Sequence, residues 1–503
     1  MDLLLGIDIG TTGTKCIAAD TEGSIIASAY KGYKLYNDGP GRVEQDAGDW
    51  WEAVVYTVRE CVRKTGADNI KAVALSSQAG SMLPVDEAGV PLRRAISWMD
   101  TRGEKQREEL NCGKPEGYYY NLTGFNLSDG GNLIQIKWLR DHEPGIFEKT
   151  CKFLSTIDYV NYKLTGNYVI DVTSAAMTQL LDINNKCWDK GILLDLGIDE
   201  KRLPGITDSG EMIGCLERDA AERLGLSEAT WVVSGGHDQY CAALGSGAIN
   251  DGDAILSTGT AWVVLCISGK PWQDAESNFY RGRHVANGKW GLLASIESGG
   301  VCMEWLRNNL LSSAGGNNES CKEDFSTIDE MASERCPGSD GLMFYPHFTG
   351  VECPNWAPKN KGTFLGIDLS HDRYHFARAI MEGVGYEIKW MLEAMGNKGI
   401  NINSLKMLGG AAGSSVWPGI VADITGIPVK ISGVKDMACI GGVILAGKGA
   451  GLFATFEEGC RKLTKTEKEL LPDHRNTAVY KKRYGKYKKG FEFLKQIYLM
   501  DEE

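Results

Sequence analysis

The stretch GIDIGTTGTK, residues 6–15, limits the fold of this chain more than any other segment. An apolar run, Leu3–Ile9, leads into a tip rich in glycine and threonine. Beyond the tip the chain enters a second strand: KCIAA, a turn over residues 20–23, then SIIASAY. The tip therefore closes a β-hairpin. A P-loop and a dinucleotide-binding loop both pass from strand into helix, and their glycine spacings are missing here. Glycine turns and threonine hydroxyls can still cradle phosphate through backbone amides.

A second unit has the same design. Residues 254–256 are apolar, Ser-Thr-Gly-Thr at 257–260 forms a small polar tip, and AWVVLCI at 261–267 resumes a strand. Two such units, about half the chain apart, imply a duplicated domain. At 503 residues the chain also exceeds one ordinary core. Between the hairpins lie a helical segment at 49–64, opening on Asp49, and a strand at 71–76. Late in the chain, residues 404–408 lead into the turn Gly-Gly-Ala-Ala-Gly-Ser at 409–414, and then into a helix ended by Gly426. Alternating strands and helices predict an α/β architecture. The boundary is expected near residue 248, within ALGSGAINDGD, dividing 1–248 from 249–503. Residues 465–503 are rich in lysine, glutamate and aromatics, and YKKRYGKYKKGFEFLKQIY within them, 480–498, is expected to form a terminal amphipathic helix with a solvated basic face.

A net charge of −12 argues against a nucleic-acid surface. The 14 cysteines form no C-x-x-C pair, which fits buried thiols in a reducing compartment. The start MDLLLGIDIG has no cationic region and is broken by Asp8. No stretch approaches the ~18 apolar residues of a membrane span. A cytoplasmic location without membrane contact is expected.

Several residues could carry chemistry. Asp8, at the end of the first strand, is placed to hold a magnesium ion through water, and Lys15 could supply a point charge to phosphate. In WVVSGGHDQY an apolar strand ends in glycines, and Asp238 follows before a helix. Asp238 either caps that helix or takes a proton from a substrate hydroxyl that attacks phosphate. For His237 a local packing role is the simpler reading. The loop SWMDTR, 97–102, combines an aromatic face, a carboxylate and a guanidinium, as polyol pockets do, or as a surface salt bridge does. Gln78 is a further candidate.

In order along the chain, GIDIGTTGTK, VEQD with the following WW, WMDTR, GGHDQ, LSTGTAW and LGGAAGS resemble the FGGY carbohydrate kinases. GTFLGI at 362–367 and HFARAIME at 375–382 are similar to the family's second diagnostic pattern without a mismatch. The resemblance implies two ribonuclease-H-like domains of the actin/hexokinase-like ATPase fold around a central cleft, with ATP and Mg2+ as cofactors. It implies Asp238 as general base and Asp8 as the metal-linked carboxylate. Thr11, Thr12, Gly13 and Lys15 match the first phosphate loop, Gly259 and Thr260 the second. Gly300, Gly410, Ala411 and Ser414 match nucleotide contacts, and Gln78, Trp98, Asp100 and Gln135 are expected to line the substrate pocket with Asp238.

The departures lie on the substrate side. Gln78 is followed by Ala79-Gly80, where glycerol kinases have Arg-Glu and xylulose kinases Met-His. Gln135 stands where the first diagnostic pattern has lysine, Gly130 replaces a glycerol-kinase aromatic, and Gly350-Val-Glu-Cys-Pro354 replaces G-E-R-x-P. A roomier pocket is implied, suited to a larger sugar or a sugar acid. The layout sits nearer to xylulose-type kinases than to glycerol kinases. The expected activity is phosphorylation of a terminal hydroxyl of a ketose such as xylulose; glycerol, erythritol, ribulose and gluconate are the alternatives. The expected partner is a small sugar or polyol, with a homodimer left open. A rival of another class is an ATPase of the same fold with no sugar substrate. A sugar-binding regulator with a dead site is disfavoured, because Asp8, Lys15 and Asp238 are all present.

Overall fold

The computed structural model describes residues 2–272, 279–311 and 323–500. Leu3–Ile9 (β1), Gly13–Asp20 (β2) and Ile25–Gly32 (β3) form an antiparallel meander around the first tip. Ile70–Ser77 (β4), Met212–Cys215 (β5) and Trp231–His237 (β6) complete a sheet of order β5-β6-β4-β1-β2-β3. β1, β4 and β6 run parallel. β1 is buried almost throughout, because helices cover both faces of a parallel sheet centre. Helix Ala47–Thr65 (α1) makes the crossover from β3 to β4. Its N-cap is Asp46, whose side chain accepts from the Gly48 amide, so the helix starts two residues before the expected Asp49. Helix Asn132–His142 (α2) lies in the long segment between β4 and β6, and Asp238–Gly245 (α3) follows β6 directly.

The second half repeats this plan. Asp253–Thr258 (β7), Trp262–Ser268 (β8), Tyr280–Arg283 (β9), Trp290–Ile296 (β10), Ser404–Gly409 (β11), Val429–Ser432 (β12) and Thr466–Leu470 (β13) form a sheet of order β9-β10-β8-β7-β11-β12-β13. β7, β8 and β10 form the meander, and β7, β11 and β12 run parallel, as β1, β4 and β6 do. Its helices are Gly300–Asn309 (α4), Arg373–Asn397 (α5), Trp417–Thr425 (α6), Met437–Gly449 (α7) and His474–Met500 (α8). Two sheets of one topology make this the two-domain actin/hexokinase-like ATPase fold.

Each sheet has an apolar core on its outer side, and a third core lies between them. That third core contains Leu4 and Ala74 of the first sheet, Ile255 and Leu265 of the second, and side chains of α3 and α7. At the end of the chain, residues 466–470 form edge strand β13, and the expected terminal helix is present: α8 begins at His474 and contains all of 480–498; residues 501–503 lie outside the described residues. A stripe of α8 is buried as well: Tyr480, Tyr484, Tyr487 and Phe491 repeat at helical spacing against the second core, while Lys481, Lys482, Lys486 and Lys489 face solvent. Tyr480 donates its hydroxyl to Glu382 Oε1 at 2.9 Å, tying the helix to α5.

Candidate active site

Strand register assembles the first part of the site. Asp8 pairs with Lys15 across the hairpin and with Ser76 on the parallel side, and Ser76 pairs in turn with Gly236. Lys15, Asp8, Ser76 and Gly236 thus form one row across four strands, near the carboxyl ends of β1, β4 and β6. Ligands bind at such ends in open α/β sheets. Asp238 begins α3 two residues beyond that row.

Asp8 Oδ1 accepts from the Ser76 hydroxyl at 2.8 Å. Burial, and then the charge of Asp238, push the Asp8 carboxyl up to about 7, against the pull of Ser76 and Lys15. Burial pushes Asp238 up to about 6, opposed by the Gln239 amide. Lys15 Nζ pairs with Asp436 Oδ1 at 2.6 Å, a contact from the first half to the residue preceding α7. Burial opposes the Lys15 charge, but the Asp436 carboxylate outweighs it and holds the ammonium above its ordinary value. His237 is buried: its backbone amide donates to Thr173 Oγ1, and burial pushes its ring down to about 4, so it is neutral. Nε2 of that ring lies 3.3 Å from Asp238 Oδ1.

The region around Gln78 and Trp98 is built on amides. Gln78 is buried, and its Nε2 donates to Gln45 Oε1 at 2.8 Å, while Gln45 Nε2 donates to the Thr11 carbonyl at the hairpin tip. Gln78 Oε1 is buried with no protein partner. Trp98 is 45% exposed, and its indole N–H donates to Thr11 Oγ1 at 3.2 Å, which sets the ring beside the tip. Asp100 faces the other way. Only 1% exposed, it binds the Arg102 side chain through both oxygens and also accepts from the Val43 and Arg102 amides. Gln135 is likewise buried and bonded on all sides to backbone. Gly130 opens no space. A Cβ there would lie 2.0 Å from the Trp98 carbonyl oxygen, so the room an absent side chain would leave is filled by the Trp98 backbone.

The second hairpin tip faces a cavity of about 510 Å³. Gly259, Thr260, Gly300, Gly410, Ala411 and Ser414 all line it. Close backbone approach requires one of these glycines: a Cβ on Gly300 would lie 2.2 Å from the Gly259 carbonyl oxygen. Thr258 Oγ1 joins the tip to the turn after β11, donating to the Leu408 carbonyl at 2.6 Å and accepting from the Ala411 amide. Met303, Phe325, Ile328 and Trp417 give one side of the cavity an apolar face. Asp329 accepts from the Ser415 amide at its edge.

Sequence reasoning did not single out Asp436, Ser76, Gln45 or Asp329. Gln45 lies in VEQD and could have been found there as a polar residue just ahead of a helix cap. Asp436 signals itself only as an acid before an apolar, glycine-containing helix. Among the described residues no group of three or more potential metal ligands occurs, and no helix is long and apolar enough to cross a membrane.

Profiles of the FGGY family of carbohydrate kinases match both halves, the N-terminal domain over residues 3–245 and the C-terminal domain over 254–450. A xylulose kinase of Staphylococcus epidermidis is 30% identical over 499 residues, 99% of this chain and 98% of that protein. A gluconokinase of Bacillus subtilis is 28% identical over 458 residues, 90% of this chain and 87% of its own. The crystal structure of a xyloylose kinase from Brucella ovis matches with a TM-score of 0.90 at 26% identity, covering 98% of this chain and 100% of the other.

Proposed function

The chain belongs to the FGGY family of carbohydrate kinases, ATP-dependent phosphotransferases, and on that premise we propose that its acceptor is a neutral ketose such as xylulose. The pairing of charges around the acceptor wall carries this reading. Among the described residues, Arg102 pairs with Asp100 and Glu44, Arg93 with Glu44 and Glu143, and Arg107 with Asp129. None of these three guanidiniums is left uncompensated to receive a sugar carboxylate. The wall offers the half-exposed Trp98 face, which suits the carbon chain of a sugar.

Asp238 takes the proton of the attacking hydroxyl, and Lys15 with the two hairpin tips stabilises charge on the transferred group. The Asp8 carboxylate, with the Ser76 hydroxyl on Oδ1 and the Asp238 charge nearby, is the hard oxygen donor that fits Mg2+, which keeps most of its own waters and needs few protein ligands. Bound there, the ion would neutralise charge on the ATP phosphates. Closure over the cleft would keep water from the γ-phosphoryl group.

ADP release from Mg-ATP with xylulose, ribulose, glycerol, erythritol and gluconate tests the acceptor class. A carboxylate left without a partner costs roughly 3–5 kcal/mol, so kcat/KM for the best ketose is expected to exceed that for gluconate by about 10²-fold or more. A preference for gluconate would overturn the neutral-acceptor reading. ADP release indifferent to every sugar would overturn the acceptor site itself.

The base sets the pH profile. Asp238 must be ionised to accept a proton, and its carboxyl is raised to about 6. Acceptor kcat/KM is therefore expected to climb with pH through about 6 and to fall tenfold per unit below that limb. A profile flat down to pH 4.5 would remove Asp238 from the role.

A further inference from the structure

We propose that Gln135 is a positioning residue for the acceptor, acting through the wall that carries Trp98 rather than by touching the sugar. The proposal rests on the proposed function, in which Trp98 lines the acceptor site.

Gln135 stands in the first turn of α2 and is 2% exposed. Its Nε2 donates to three backbone carbonyls: Gly80 at 3.0 Å, Ser97 at 3.0 Å and Gly130 at 3.1 Å. Its Oε1 accepts from the Met82 amide at 3.1 Å. The three carbonyls belong to three separate loops, one after β4, one just before Trp98 and one leading into α2. An amide supplies two N–H groups, so one of them is shared between carbonyls. A single side chain thus closes three loops on one point.

Those loops touch each other where Gln135 holds them. A Cβ on Gly80, whose φ is +76°, would lie 3.0 Å from both the Gly130 oxygen and Trp98 Cβ, and one on Gly130 would meet the Trp98 oxygen. The contact is backbone on backbone, with no long side chain to absorb a shift. Trp98 then reaches Thr11 Oγ1 at the first hairpin tip. Displacing the Gln135 amide therefore moves the Trp98 ring relative to the phosphate loop. Misplacement of a binding group by about 1 Å can cost on the order of 10²-fold.

The chemistry separates donor from acceptor roles. Lysine, the residue of the family pattern at this position, would keep donors for the carbonyls and abandon the Met82 amide. Glutamate would keep the Met82 bond and set a carboxylate against three carbonyl oxygens. Methionine matches the length and makes neither set of bonds. For the best acceptor of the sugar panel, Gln135→Glu and Gln135→Met are expected to raise acceptor KM about tenfold or more. KM for ATP should stay within about twofold, because the nucleotide cavity lies in the other half. Gln135→Lys should restore acceptor KM to within about threefold of the native value.

Trp98→Ala, measured alongside, separates the two readings. If it leaves acceptor KM unchanged, Trp98 is no acceptor wall and the proposal falls with that premise. If it raises acceptor KM while a folded Gln135→Met or Gln135→Glu does not, the positioning role alone is overturned. Acceptor and ATP KM rising together in the Gln135 variants, with no rescue by lysine, would mark a general packing defect and also overturn it.

Discussion

Asp238→Asn is expected to lower kcat for sugar phosphorylation by about 10²–10⁴-fold, the contribution of a positioned general base. Asparagine keeps the size and planarity of the side chain, and its backbone can still open α3 after the His237 N-cap. What it cannot do is take a proton. The native carboxylate is suited to that task because burial pushes it up to about 6, close to the pH at which the enzyme would work, while 32% of its side chain remains open to the cleft. Neighbouring His237 is a poor substitute: it is 8% exposed, burial lowers its ring to about 4, and among the described residues Nδ1 has no partner to relay a proton. KM for ATP should change little, since six of the ten sequence-predicted ATP-binding residues line a cavity of the second half and asparagine adds no bulk beside the other four. Steady-state kinetics with the best acceptor, on protein with native melting behaviour, provides the measurement. A variant within about threefold of wild type would mean that the hydroxyl loses its proton without Asp238.

Local chemistry explains which parts of this site can be read before folding. A glycine- and threonine-rich tip between two apolar runs has few other uses, so both hairpins are visible, and Asp238 is visible as the acidic residue where the glycine-ended strand WVVSGGH gives way to α3. Which way a side chain points around a turn is a different matter. Trp98 and Asp100 are two residues apart in one polar loop, yet one faces the cleft and the other is buried on Arg102. Their types alone suit either arrangement. Long-range pairs are hidden altogether: Lys15 and Asp436 meet across 421 positions, and Gln135 looks like any polar residue in NLIQIKWL until three loops converge on it. The segment TEKEL carries charges that suit a solvated helix face and an exposed edge strand alike, because an edge strand uses such charges to block further pairing.

The helices between the two sheets set up the second large effect, in Gly441→Val. α3 and α7 cross with their backbones in contact: a Cβ on Gly441 would lie 2.0 Å from the Cys241 carbonyl oxygen, and one on Gly245 would lie 1.9 Å from that of Met437. β1 joins the same contact, since a Cβ on Gly6 would sit 1.9 Å from the Cys439 oxygen. Backbone cannot rotate out of the way as a side chain can, so valine must push α7 from α3. Overpacking of this kind costs about 1–3 kcal/mol, and more where the backbone has to move. Tm should fall by roughly 2–4 °C for each kcal/mol. Activity should fall further than stability, because the displaced elements carry the residues proposed for the chemistry: Asp8 lies two residues beyond Gly6, Asp238 opens α3, and Asp436 precedes α7. Gly485→Ala gives the opposite sign. Gly485 lies exposed within α8 with nothing within 4 Å of an added Cβ, so alanine should stabilise by about 0.5–1 kcal/mol and leave kinetics unchanged. Calorimetry and kinetics on the two variants decide the matter. A Gly441→Val protein with native Tm and native kcat would mean that α3 and α7 do not meet at their backbones in solution, and that the three aspartates do not depend on that crossing for their placement.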